Sequence, residues 1–379
     1  MHASGAPSFL RPALAGAAAT FSGIGLARFA YVPLFPAMVA AGWVTAGEAG
    51  LLGAVNLAGY LAGVLGGRTL GRGVGTRTAL DVGMALATLS FLGCGWNGGA
   101  AWLAACRALA GVAGGLLMAL AGPAVQGAVA PERRGLAGGI VMMGVASGIV
   151  VAALAIPPVL PAGVSATWLL LAGLVAAIWL GARRAWPATP VAVPAAPVPP
   201  GALALALAYG LSAAGFVPHM VFFGELAVHG RGLPVATGAW LWLLFGLGGF
   251  AGPLAGGRVA DRIGAGPALR IWIGLQAVAT GLALVHGTIP LALSALLGGF
   301  SAVGMTAVAL ARSREIAGPA AGLVWVQATA AFAVAQAATG SALAALFART
   351  HAHDLLFAIA CALATLALLP VWPRRATLP

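Results

Sequence analysis

Residues 13–40 read ALAGAAATFSGIGLARFAYVPLFPAMVA, a run whose single charge is Arg28. A helix needs roughly 20 apolar residues to cross a bilayer, so this stretch spans with residues to spare. Further blocks of the same character lie near 46–66, 78–96, 100–129, 136–157, 164–182, 201–228, 237–257, 268–286, 290–311, 318–347 and 353–372. Their apolar residues run continuously and lack the period of two that a membrane barrel strand would show. The expected fold class is an all-α membrane protein with twelve transmembrane helices.

The composition fits that reading. Of 379 residues, 61% are hydrophobic and only 7% charged, and the mean hydropathy is +1.02; a water-soluble surface needs far more charge. The 57 glycines exceed the usual share of about 7%, and small residues let helices approach closely where lipid supplies no hydrophobic drive. A net charge of +12 would suit a nucleic-acid partner, but all 19 basic residues are Arg, set singly or in pairs between apolar blocks. That placement is a footprint of membrane topology, so no nucleic-acid partner is expected. Cys94, Cys106 and Cys361 sit in or beside apolar blocks without a CxxC spacing, which supports neither a disulfide framework nor a metal site. The first run imitates a signal peptide, with Ala17–Ala19 as a mock cleavage site, but it is too long for a signal core and is expected to remain as the first helix.

Residues 187–200 carry Pro187, Pro190, Pro194, Pro197, Pro199 and Pro200 among Ala and Val, a composition that no regular helix holds. The stretch is expected to be a cytoplasmic linker between a six-helix bundle at 1–186 and another at 201–379. With the N-terminus inside, Arg11, Arg68, Arg72, Arg77, Arg133, Arg134, Arg183, Arg184, Arg258, Arg262, Arg270, Arg312, Arg314, Arg374 and Arg375 fall on one side. The other side carries Arg231 and Arg349, and Arg28 and Arg107 lie inside blocks. Such a split places both termini in the cytoplasm of a bacterial inner membrane. The halves also repeat weakly: Gly66-Gly67-Arg68-Thr69-Leu70-Gly71-Arg72 follows the second block and Gly256-Gly257-Arg258-Val259-Ala260-Asp261-Arg262 the eighth. Two half-chains in the same orientation are what a parallel-repeat transporter shows.

Gly257-Arg258-Val259-Ala260-Asp261-Arg262-Ile263-Gly264 fits G-x-x-x-D-R-x-G, and resembles the cytoplasmic signature of the major facilitator superfamily. The resemblance implies a gate in which Gly257 and Gly264 permit tight turns, Asp261 caps a neighbouring helix, and Asp261 and Arg262 lock the outward-open state. The structural alternative is an ordinary positive-inside loop. In the first half Gly71 and Val74 stand where Asp and the second Gly would be, so the lock is not symmetric. Arg107-Ala108-Leu109-Ala110-Gly111 is similar to the fourth-helix R-x-x-x-G motif of the same superfamily; Arg107 serves a cavity or proton coupling, or else snorkels to the interface. Gly23 to Trp43, with Gly53-Ala54-Val55-Asn56-Leu57-Ala58-Gly59-Tyr60, resembles the first two helices of the YbfB/YjiJ branch, which implies a small-molecule permease without naming a substrate.

Arg28 lies near mid-membrane, about 12 residues from one end of its block and about 15 from the other at ~1.5 Å per residue, beyond easy snorkelling. It adjoins Phe29, Tyr31, Pro33 and Pro36, residues that can shape a cavity wall. A substrate or coupling role is expected, with a buried structural ion pair as the alternative. On the seventh block Pro218 should bend the helix. His219 near mid-membrane and Glu225 nearer the outer end can each change protonation, unless His219 is a hydrogen-bonded core residue and Glu225 faces water or pairs with Arg231. Asn56, Tyr60, Gln126, Gln276, Gln327 and Gln336 are further polar residues within blocks; Gln327 and Gln336, on roughly one face, bind substrate or join helices. Asp81 reads as a helix cap, and His351, His353 and Asp354 as a solvated outer cluster.

No H-E-x-x-H, P-loop, G-x-S-x-G or Cys/His cluster is present, so no enzyme activity, cofactor or metal is expected. The leading expectation is a monomeric secondary transporter of a small organic molecule, with Arg28 favouring an anion, alternating access, and protons as the coupling ion. A non-transporting membrane sensor or assembly factor on the same fold is the alternative. The topology has a direct check: green fluorescent protein fused after Pro379 should fluoresce and alkaline phosphatase fused there should be inactive, whereas the reverse pattern would place the C-terminus outside.

Overall fold

The computed structural model describes residues 9–130, 133–188, 199, 201–318 and 321–372. Most of the expected linker (189–198 and 200), together with Arg374 and Arg375, lies outside the described residues. Those described form helices α1 (Leu10–Thr20), α2 (Tyr31–Ala40), α3 (Ala46–Val74), α4 (Thr76–Cys94), α5 (Gly99–Ala128), α6 (Arg134–Val159), α7 (Val164–Ala182), α8 (Ala202–Val221), α9 (Phe223–Glu225), α10 (Val235–Ile263), α11 (Ala265–Leu282), α12 (Thr288–Ala317), α13 (Ala321–Thr350) and α14 (His353–Leu366). No strand occurs among them. Each expected apolar block is largely helical where described, and among the described residues 10 spans are long and apolar enough to cross a membrane. The two that fall short, α4 and α11, each carry an Arg and a second polar side chain (Arg77 with Asp81, Arg270 with Gln276) that lower their apolarity.

Helix–helix contact rests on glycine. A Cβ at Gly59 or Gly63 of α3 would strike the carbonyls of Ala108 or Val112 on α5, and one at Gly111 or Gly115 of α5 would strike those of Asn56 or Tyr60 on α3. The second half builds its α10–α12 contact the same way, with Gly248 and Gly252 against the carbonyls of Leu296 and Phe300, and Gly299 against that of Phe245. In lipid this close backbone approach supplies the dispersion contact that apolar burial supplies in water. The packing partners also correspond: α4 lies on α5 and α7 as α11 lies on α12 and α14, and α1 lies on α6 as α8 lies on α13. Across the middle, α3 meets α13 and α6 meets α10.

The ends of the molecule differ. At the end poor in Arg one apolar core joins both halves, with Phe222 between Phe35 (6.0 Å between ring centres) and Phe347 (5.1 Å). There Gly47 abuts Ala348 and Gly50 abuts Phe222. At the Arg-rich end two further clusters stay within single halves: Ala13, Val125, Val129, Ala137 and Val141 in one, and residues between Ala202 and Ala367 in the other. Among the described residues, the halves are sealed by a shared core at the Arg-poor end.

Two corrections to the sequence reading arise here. Asp81 is no cap: its Oδ1 accepts the indole N–H groups of Trp179 (2.6 Å) and Trp186 (3.0 Å), fastening the chain just before the expected linker. Gly257 makes no tight turn: it lies inside α10, which runs on to Ile263.

The glycine contacts predict a contrast in stability. Gly299→Ala places a methyl on the Phe245 carbonyl and should cost about 1–3 kcal/mol, the usual price of overpacking. Gly274→Ala, which meets no atom within 4 Å, should be neutral or slightly stabilising. Thermal midpoints of the purified variants in detergent check both.

Candidate functional site

The first span is not one helix. After α1 the chain widens into a π turn at Phe21–Leu26, where Gly23 and Gly25 lie against the backbones of Gly114 and Gly148. Residues 27–30 are non-helical, and α2 follows. Pro33 has no N–H for the carbonyl of Phe29 four residues earlier. Inside a bilayer a released carbonyl needs a protein donor, and side chains supply it. Arg107 Nη1 donates to Ala27 O at 2.9 Å, with Asn56 Nδ2 at 3.5 Å from the same oxygen. Phe29 O keeps a backbone donor, Val32 N–H at 3.3 Å, and Trp242 Nε1, from α10 in the other half, adds a second at 3.1 Å.

Arg28 is held in this interruption with its guanidinium against the second half. Nη1 donates to Gln336 Oε1 on α13 at 3.0 Å and lies 4.0 Å from the sulfur of Met220 on α8. The ring of Tyr60 covers one face at 4.1 Å. The side chain is 6% exposed, and Nη2 is buried without a partner. Among the described residues no carboxylate pairs with it; the four ion pairs there involve other groups. Of the two readings, the structural ion pair is absent. A desolvated cation held only by an amide, a thioether and a ring face is short of compensation.

Arg107 is a different kind of buried arginine. It is 1% exposed, so it does not snorkel. It closes on Ala27 O, under the rings of Tyr31 (4.5 Å) and Trp168 (5.8 Å). Tyr31 is tied down by its hydroxyl, which donates to Ala49 O at 2.7 Å. Asn56 Nδ2 also donates to Arg107 O at 3.1 Å. Arg107, Asn56 and Tyr31 thus brace the interruption, and Arg28, Tyr60, Gln336 and Met220 form the exchangeable centre beside it. Met220 and Trp242 escaped the sequence reading. Trp242 was legible only as an indole in mid-block, and Met220 carried no signal beyond its place next to His219.

The other expected residues lie apart from this centre. His219 is fully buried among Phe223, Phe245 and Phe357. Ser294 Oγ donates to Ala279 O (2.7 Å), which leaves it to accept from His219 Nε2 at 3.0 Å. Glu225 neither faces water nor pairs with Arg231. It is 2% exposed, with His229 Nδ1 at 2.9 Å and His353 Nε2 at 4.0 Å, while Arg231 pairs with Asp354 at 2.5 Å. His353 and Asp354 are therefore tied into packed contacts, and the outer cluster is not simply a solvated loop. Gln327 is half-buried, nine residues and about 14 Å along α13 from Gln336. Gly264, at φ 88°, ends α10 in the left-handed region, where glycine is favoured. Asp261 and Arg262 are exposed and bond to no described residue. The cap on α11 that Asp261 was expected to make comes from Glu315, whose Oε1 accepts Ala265 N–H at 3.2 Å. At Gly257 a methyl would meet no atom within 4 Å.

The two arginines should respond oppositely to the same substitution. Arg28→Met removes an uncompensated charge and is expected to raise stability by about 1–2 kcal/mol. Arg107→Met strips Ala27 O of its short bond and should lower it by about 1–3 kcal/mol. Thermal unfolding in one detergent compares them; equal losses would contradict the division into brace and exchangeable centre.

Comparison with known proteins completes the picture. A family model described as "Uncharacterised MFS-type transporter YbfB" matches residues 20–371. No curated protein matches in sequence. Among solved structures, the crystal structure of a D-xylose–proton symporter superposes with a TM-score of 0.74 at 16% identity, covering 96% of each chain. The xylose transporter XylE from E. coli, in a partially occluded inward-open conformation, gives 0.73 at 14% identity, covering 98% of this chain and 99% of that one. At such identities the likeness speaks for the fold alone, and the family match extends over nearly the whole sequence. The chain is a multi-pass membrane protein that belongs to the YbfB-type family of major facilitator transporters.

Proposed function

We propose that this protein is a secondary active transporter of a small organic anion, working as a monomer by alternating access. In this reading α4 and α11 also cross the bilayer. Together with the ten clear spans they give twelve transmembrane helices in two six-helix bundles, 1–186 and 201–379, joined by the cytoplasmic linker 187–200. The matched packing of α4 and α11 and the paired glycine contacts support the repeat. The Arg distribution supports a bacterial inner membrane with both termini in the cytoplasm. The Arg-rich end is then cytoplasmic and the arrangement inward-facing, in keeping with Asp261 and Arg262 standing free, their lock unmade.

One observation carries the anion: Arg28 is buried between the halves with no carboxylate partner among the described residues and with Nη2 buried and unbonded. Charges are kept in a membrane interior where they serve a substrate or ion path. Glu225, a buried carboxylate beside two histidines, is the group best suited to carry a coupled proton. His219, enclosed by three phenyl rings, serves packing in this scheme.

Protein reconstituted on a solid-supported membrane tests the reading. Jumps in a mixture of organic anions should give transient currents that disappear in Arg28→Ala, while neutral sugars give none. Currents from neutral solutes that survive Arg28→Ala would remove the anion reading, and the absence of any solute-dependent current would favour the sensor or assembly-factor alternative.

A further inference from the structure

We propose that the anion is a monocarboxylate with a compact apolar body, gripped side-on by Nε and Nη2 of Arg28, and that Gln336 and Met220 hold its place in the empty protein. The proposal rests on the anion-transport reading above and names its substrate class. The guanidinium presents two useful edges to a ligand. One includes Nη1, which is spent on Gln336 Oε1 at 3.0 Å. The other, Nε with Nη2, makes no hydrogen bond among the described residues, and Nη2 is sealed from solvent. Its two near-parallel N–H groups match the two oxygens of one carboxylate. Tyr60 occupies a face of the guanidinium at 4.1 Å, so the ligand approaches in the plane, as a side-on carboxylate does.

The groups now at the centre are poor substitutes for an anion. Gln336 offers one neutral oxygen. The Met220 sulfur, 4.0 Å from Nη1 and 3.3 Å from Gln336 Nε2, is a weak acceptor. Both are long, flexible side chains that can swing aside without moving a backbone. They also come from the half opposite Arg28, so displacing them alters a contact between the halves.

Charge and hydrogen-bonding capacity narrow the ligand further. Arg107 donates Nη1 to Ala27 O and lies against two aromatic rings, with its Nε buried and unpartnered; its contacts all belong to its own half, so a ligand held against the second half meets the single charge of Arg28. Asn56 is committed to Arg107 O and Ala27 O. A sugar, with many hydroxyls to satisfy, would find few partners beyond Gln336 and Tyr60. Leu57, three residues before Tyr60 on α3, and Ala333, three before Gln336 on α13, are buried apolar side chains of the helices that supply the centre and suit an apolar body.

Equilibrium binding to the purified protein in lipid nanodiscs tests this, with radiolabelled acetate, hexanoate and benzoate as probes and inorganic phosphate and D-xylose as competitors. At least one carboxylate should bind saturably, without competition from phosphate or xylose. Arg28→Lys keeps the charge but loses the fork, and should bind at least about tenfold more weakly. Gln336→Ala should bind as well as the parent or a few-fold better, because it removes the stand-in. Arg28→Met should not bind, its monodispersity and melting showing that it is folded. Equal affinity in Arg28→Lys would overturn the side-on grip. Loss of binding in Gln336→Ala would overturn its stand-in role. Arg28-dependent binding of phosphate with no carboxylate bound would reject the carboxylate and keep the anion reading. Carboxylate binding unchanged in Arg28→Met, or no anion bound at all, would reject both.

Discussion

A carbonyl released from a helix inside a bilayer has no water to turn to, and this requirement organises the centre of the protein. The interruption at residues 27–30 leaves the oxygen of Ala27 without a backbone donor and that of Phe29 with only the Val32 N–H at 3.3 Å. Arg107 answers the first from within its own half and Trp242 answers the second from across the interface. One half therefore braces its own broken span, while the other half takes part in holding it. The Trp242 bond thus ties α10 of the second half to the segment that carries Arg28.

That tie is set in a frame made stiff by glycine. The α3–α5 and α10–α12 contacts bring backbone against backbone, leaving little room for sliding within a half. In the alternating-access reading, two such bundles would move as bodies. The interface is itself uneven. At the Arg-poor end it is an aromatic seal through Phe35, Phe222 and Phe347, whereas the two smaller apolar clusters each remain within one half. At the Arg-rich end Asp261 and Arg262 are exposed and reach no partner among the described residues.

The two buried arginines show how the same residue in the same membrane serves opposite ends. Arg107 has a backbone acceptor and two ring faces, all from its own half, with its Nε buried and unpartnered. Arg28 has an amide, a sulfur and one ring, and its charge is left over. Natural sequences tolerate such uncompensated groups where function needs them. The buried Glu225 with His229 and His353 is a second concentration of titratable groups, but it sits on the Arg-poor side and away from Arg28's partners.

Much of this was legible in one dimension. Apolar run length specifies helices because no other open structure satisfies its backbone in lipid, and Arg placement encodes topology because charge is costly to translocate. The depth of Arg28 followed from counting residues, and its isolation made it the leading site candidate. Depth is not rotation, however. That Arg28 faces Gln336 while Arg107 turns onto Ala27 O, that Gln327 stays apart from Gln336's cluster, that Glu315 and not Asp261 caps α11, and that Glu225 meets His229 in place of Arg231 were all decided by packing. Such contacts join residues up to 308 positions apart. Local periodicity carries no information about which helix will lie opposite, so only the assembled bundle distinguishes the arginine that closes on its own half from the one that faces the other.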